Sequence, residues 1–204
     1  MRLLKIFNSI LFLSFANFVQ AQQISPDEGK ELFTDAVAAF EKKDFQTAIE
    51  LFSLLAEQGE PTSQHNLSLL YLKGLGSPVN YKRALRWAWL ASLGGNKSAP
   101  ELVDDIREMI TEDLINIVSE EIVTELKEEA MAGDINTPEK LGKTYYQLFV
   151  TPDLKEAYIW FLIAQAFGHE SPSQLLAEVE EQIEMADRIA YQDEALETFG
   201  KISK

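Results

Sequence analysis

A short helical pattern recurs along this chain and limits what it can fold into. In YKRALRWAWLASLGG, residues 81–95, the side chains of Ala84, Trp87, Ala88 and Ala91 fall at i, i+3, i+4 and i+7. That spacing makes one apolar stripe of a helix, and Gly95 stops the run. Seventy-three residues later the same places hold Ala157, Trp160, Phe161, Ala164 and Gly168; thirty-six residues earlier they hold Ala48, Leu51, Phe52, Leu55 and Gly59. Chance periodicity does not also reproduce the glycine. Each hairpin built on such a helix exposes an apolar face that it cannot cover alone, and the next hairpin covers it. The expected fold is all-α, an α-solenoid of antiparallel helix pairs.

The punctuation agrees with that reading. All seven prolines, at 26, 61, 78, 100, 138, 152 and 172, stand where helices should start, most of them behind a hydroxyl residue that suits an N-cap. Ser25 with Glu28, and Ser98 with Glu101, read as capping boxes. Gly59, Gly95, Gly133 and Gly168 follow apolar-periodic runs, where a residue of positive φ is wanted. The spacing predicts helices over 26–42, 44–58, 61–74, 80–94, 98–110, 112–132, 138–149, 152–167, 172–183 and 184–199, with connections short enough to force antiparallel packing. Gly142 lies inside a predicted helix, where it costs about 1 kcal/mol relative to alanine. A neighbouring helix should therefore approach closely there.

A longer period is also visible. SAPELVDDIREMI parallels SPSQLLAEVEEQI at the 73-residue offset, pairing Leu102 with Leu175, Val103 with Leu176, Ile106 with Val179 and Ile110 with Ile183, with weaker agreement through Val123 and Leu196. The expected organisation is a single helical domain over 22–204: an opening hairpin, 26–59, then two copies of a four-helix unit, 60–134 and 135–204.

The string LSLLYLKGLGSPVNYKRALRWAWLASLGGNKSA resembles a Sel-1-like repeat, a branch of the tetratricopeptide-repeat superfamily. Leu67, Tyr71, Gly74, Gly76, Ala84, Trp87, Ala91, Gly95 and Ala99 occupy the positions of its pattern. A second match runs through Leu141, Gly142, Tyr145, Ala157, Trp160, Ala164 and Gly168, but its loop lacks glycine and Pro172 replaces the final alanine. FQTAIELFSLLAEQG resembles a second half only, including Ala48, Leu51 and Gly59. The resemblance implies an adaptor or scaffold that binds peptides or folded partners on the surface of the array. Among envelope proteins it suggests motility-associated subunits, polysaccharide-export scaffolds and adhesins.

The chain opens MRLLKIFNSILFLSFANFVQAQQ: Arg2 and Lys5, then an apolar stretch of about 14 residues, then small residues before a cleavage site near Ala21. This reads as a secretory signal peptide, 1–21, too short and polar for a span of roughly 20 apolar residues; an uncleaved anchor is the alternative. The product is expected in the bacterial periplasm or secreted, with no stable membrane insertion. The chain has no cysteine, hence no disulfide framework or thiol chemistry. Its formal charge of −15 makes nucleic acid a poor partner. The charge is uneven: 64–97 holds Lys73, Lys82, Arg83, Arg86 and Lys97 with no acid, whereas 101–134 holds twelve acids against Arg107 and Lys127. Solvated helix faces account for this, or else a basic patch that meets an acidic partner or a second copy, so a homo-oligomer is open.

No residue constellation points to catalysis, a cofactor or a metal. His65 and His169 stand more than a hundred residues apart, as surface or capping residues. Phosphate-binding, nucleophile-elbow and His-Glu-x-x-His motifs are missing. Acid pairs such as Asp104 with Glu108 and Glu180 with Glu184 fall on polar helix faces. Trp87 and Trp160 belong to the repeated apolar face and are expected in the core. Trp89 lies off that face beside Lys82, Arg83 and Arg86, and these four, with Tyr146 and Tyr158 as weaker members, form the candidate partner-binding set; for Trp89 packing against the following helix pair is the favoured account and partner binding the alternative. The expected function is a non-enzymatic exported adaptor for a protein or peptide. Two alternatives are a self-assembling structural component of the envelope and, less favoured, a weak hydrolase like some cysteine-rich relatives.

Overall fold

The computed structural model describes residues 24–169 and 172–202. The expected signal peptide and Ser171 lie outside them. Among the described residues ten α-helices follow in order: α1 (Pro26–Glu41), α2 (Phe45–Glu57), α3 (Pro61–Lys73), α4 (Tyr81–Leu93), α5 (Ala99–Glu108), α6 (Glu112–Met131), α7 (Thr137–Lys143), α8 (Leu154–Ala166), α9 (Pro172–Glu180) and α10 (Met185–Ile202). A π-helical turn, Thr144–Leu148, extends α7. No strand occurs among the described residues. Consecutive helices pack as neighbours from α1 on α2 through α4 on α5 and again from α6 on α7 through α8 on α9, while α6 packs on α4 rather than on α5 and α10 packs on α8 and, less, on α6. The molecule is an all-α repeat solenoid around one contiguous core that runs from Ala36 to Ile202.

The stops sit where the glycines are. Gly59, Gly95, Gly133 and Gly168 have φ of 82°, 86°, 96° and 90°, the left-handed conformation that an L side chain resists. The starts follow the prolines less closely. Ser25 Oγ accepts the Glu28 amide at 3.3 Å, as an N-cap should. Ser98 makes no side-chain cap bond; its own amide instead donates to Asn96 Oδ1. Pro78 and Pro152 lie in loops, and Asn80 and Asp153 cap α4 and α8 by accepting the Arg83 and Glu156 amides. An acceptor beside the first free amides decides the start, and a proline upstream of that acceptor is only loop. Thr137 is not a cap either: it is buried inside α7, and its hydroxyl donates to Glu129 Oε2 at 3.3 Å.

Close packing explains Gly142. A Cβ there would lie 2.5 Å from Cδ1 of Phe161, so only glycine lets α7 settle on α8. In the preceding repeat the corresponding position is Ser68, whose hydroxyl donates to the Ala84 carbonyl at 2.7 Å, and Ala88 replaces Phe161.

Contacts recur with the sequence. Lys82 Nζ pairs with Glu121 at 2.5 Å, and Lys155 Nζ, seventy-three residues on, pairs with Glu194 at 2.8 Å. The Asn80 amide donates to the Tyr71 carbonyl, as Asp153 does to Tyr145. The correspondence stops at the last helix. Val123 is buried, whereas its counterpart Leu196 is 72% exposed. Helix α6 packs against α4 and α7, whereas α10 packs against α8 and, less, α6, and leaves Leu196 in solvent.

Candidate binding cleft

Helix α4 carries the residues singled out in the sequence, and the structure distributes them differently. Trp89 is buried, 5% exposed, and its indole N–H donates to Thr144 Oγ1 at 3.0 Å. It fills the space between α4 and the π-turn, so the packing alternative is the one the fold adopts. Thr144 closes that contact by donating its own hydroxyl back to the Lys140 carbonyl at 2.8 Å. Trp87, expected in the core, is only partly buried. The Arg86 guanidinium lies over its ring, 5.4 Å from the centroid. Trp89 thus packs as favoured and offers no partner-binding face, and Trp87 is the tryptophan that departs from its expected place.

The basic residues are engaged within the chain. Lys82 pairs with Glu121, and Arg86 Nη2 donates to Glu125 Oε2 at 2.7 Å, so one turn of α4 is matched to one turn of α6. Arg83 donates to the Tyr71 hydroxyl at 3.2 Å and lies over that ring. The segregated charge is therefore met, at Lys82 and Arg86, inside one molecule rather than between copies. Tyr146 is half-buried, its hydroxyl accepting from Gln182, and Tyr158 is in the core with its hydroxyl bonded to Gln192. Trp160 is buried and donates to Glu156.

Sequence reasoning missed the feature that these contacts frame. A cleft of about 250 Å³ opens where α2, α4, α6 and α7 converge. Its apolar lining comes from Ala56, Trp87, Leu90, Leu93, Ile122 and Leu126, its charged lining from Glu57, Arg86, Glu125, Glu129 and Lys140, and Gln64 of α3 also faces it. Gln64 is 5% exposed; its Nε2 donates to the Ala56 carbonyl at 3.0 Å, and its Oε1 has no partner. Arg86 Nη1 is likewise buried without a partner. A polar glutamine at an inward place of a repeat helix was the available signal. A second, almost wholly apolar pocket of about 220 Å³ lies between α1, α2 and α3, lined by Val37, Phe40, Phe52, Leu69, Leu70 and Leu75.

Two groups near the start of α3 have shifted protonation. Burial pushes the Glu60 carboxyl up, but hydrogen bonds from Ser63 and Thr62 outweigh it and hold it below its ordinary value. Burial lowers the His65 imidazole. His169 bonds through Nε2 to the Ile135 carbonyl at 2.8 Å and lies 3.6 Å from Glu139, tying the end of α8 to the loop before α7. Among the described residues no group of three or more His, Cys, Asp or Glu is placed to hold a metal, and no helix is long and apolar enough to cross a membrane.

The Sel1 repeat family model matches residues 38–60, 61–96 and 139–164. The chain thus carries three Sel1 repeats, and the first match, which begins at residue 38 near the end of α1, covers little more than α2, in keeping with the second half alone that the opening hairpin resembles. No curated protein matches it.

Proposed function

We propose that these three Sel1 repeats form a non-enzymatic adaptor that holds a protein or peptide partner on the repeat surface, exported to the bacterial periplasm or beyond. Sel1 repeats serve protein–protein interaction, which supports the binding role. The observation that carries it furthest is the cleft at α4: a recessed, partly apolar surface framed by two matched repeats, with polar atoms left unengaged. Export rests on the charged, apolar and small-residue order of the first 21 residues.

Envelope cross-linking followed by affinity capture tests the reading. A specific partner should be recovered by the wild-type chain and lost from Arg86→Ala while the helical signal persists. Recovery of nothing beyond the background of an unrelated exported protein would reject it. Trp89 is the wrong probe, because its truncation reads as unfolding.

Self-assembly is a second reading, favoured by one observation. Met185, Ile189 and Leu196 of α10 are 69%, 59% and 72% exposed and fall near one stripe of the terminal helix. An apolar end contact should resist salt, unlike contacts between exposed charges. Sedimentation at rising concentration, in low and high salt, should then show a larger species that Leu196→Glu removes.

A further inference from the structure

We infer that the cleft of α2, α4, α6 and α7 recognises one aliphatic residue of an extended peptide, through its backbone N–H and carbonyl and its side chain, in a segment that is uncharged or basic; this rests on the adaptor reading above. The argument begins with two atoms. Gln64 Oε1 is a buried acceptor without a donor, and Arg86 Nη1 is a buried donor without an acceptor. Leaving a buried polar atom unsatisfied costs about 1–3 kcal/mol, so such atoms mark either strain or an absent partner. The rest of each side chain is already fixed, Gln64 by the Ala56 carbonyl and Arg86 by Glu125. Both therefore hold the free atom in place before any ligand arrives, which lowers the entropy lost on binding.

The two orphans have opposite polarity and belong to residues lining one cleft. One residue of an extended peptide supplies the complement of both, because its own carbonyl and N–H point to the same side of the chain: the carbonyl for Arg86, the N–H for Gln64. Beside them Leu90, Leu93, Ile122, Leu126 and the partly exposed Trp87 make an apolar wall suited to an aliphatic side chain. The volume, about 250 Å³, falls below the roughly 300–1,000 Å³ of typical small-molecule pockets and suits one residue rather than a helix. The rim sets the charge of what enters. Glu125 is matched by Arg86, which leaves Glu57 and Glu129 against Lys140, so an acidic segment is repelled and a basic one drawn in.

Nitrogen-labelled protein titrated with two probes, acetyl-Lys-Leu-Lys-amide and acetyl-Glu-Leu-Glu-amide, tests this. The basic tripeptide should shift the Trp87 indole and Gln64 side-chain amide signals saturably, with the buried Trp160 indole unmoved, and should bind at least ten-fold tighter than the acidic one. Gln64→Leu should abolish the shift at Trp87. Glu57→Lys, an exposed substitution that leaves the core alone, should cut the preference between the probes at least three-fold, so the test survives if Gln64→Leu fails to fold. No saturable shift at Trp87, which would mean the cleft holds only water, overturns the assignment, as does equal binding of the two probes. If wild type and Gln64→Leu capture the same envelope partner equally, the cleft assignment falls and the adaptor reading stands. If wild type captures nothing while the basic tripeptide behaves as expected, the reverse holds.

Discussion

Phe161 reverses the usual rule for a glycine inside a helix. Alanine in place of Gly142 would ordinarily stabilise by about 1 kcal/mol, but its Cβ would sit 2.5 Å from the Phe161 ring. Gly142→Ala should therefore destabilise by about 1–3 kcal/mol, the cost of overpacking, and adding Phe161→Leu should recover part of the loss. Denaturant midpoints of the four proteins check this, and purely additive effects would refute it. Trp89→Ala should cost about 3–5 kcal/mol as a buried aromatic, and Trp87→Ala clearly less, because its side chain is only partly buried. At the start of α3, Glu60 accepts the Thr62 and Ser63 amides at 3.0 and 2.5 Å. Removing it as Glu60→Ala should cost about 1 kcal/mol at neutral pH, the usual worth of a cap. Its carboxyl is held below the ordinary 4.5, so that contribution is complete above 4.5 and is lost as the pH falls through the lower folded value. The gap between wild type and Glu60→Ala should close in acid. His65, lowered by burial, adds an earlier loss of stability that begins as the pH falls through its ordinary 6.5.

At the scale of elements, the ion pairs account for the odd segregation of charge. Basic residues of α4 and acidic residues of α6 face each other thirty-nine positions apart, at Lys82 with Glu121 and Arg86 with Glu125, and α8 repeats the device with Lys155 and Glu194. These pairs are largely solvent-exposed, so each contributes no more than about 1 kcal/mol. Their value lies in orienting α6 along α4. Lys82→Glu should destabilise by under about 1 kcal/mol, Lys82→Glu with Glu121→Lys should restore the loss, and added salt should shrink both effects. Thermal unfolding of the two variants at low and high salt measures it. Charge blocks were legible in the sequence, but whether they meet within a chain or between chains depends on where α6 crosses, which no local pattern encodes.

Across the whole molecule one core joins all the described helices but covers α6 more fully than α10. The contiguous cluster from Ala36 to Ile202 predicts cooperative loss of structure, with helical circular dichroism and tryptophan fluorescence falling at the same denaturant concentration. Separated transitions would mean that the two four-helix halves unfold independently, as long arrays can. The exposure of Leu196 against the burial of Val123 matches the weakening of the internal repeat there: α6 is packed between α4 and α7, whereas α10 rests on α8 and only lightly on α6, so the Leu196 position is not drawn into the core.

The amino-acid sequence by itself determined the helices, their glycine stops, the repeated apolar stripe and the tight spot at Gly142, because each follows from a periodicity or a backbone preference local to a few turns. The tertiary structure alone decided that Trp89 is core and Trp87 only partly buried, that Lys82 and Arg86 are neutralised by α6, and that Gln64 and Arg86 share a cleft. A period of 3.6 residues fixes the angle at which a side chain leaves its helix. Which neighbour stands at that angle is set by α6 and the π-turn closing over α4 from far along the chain.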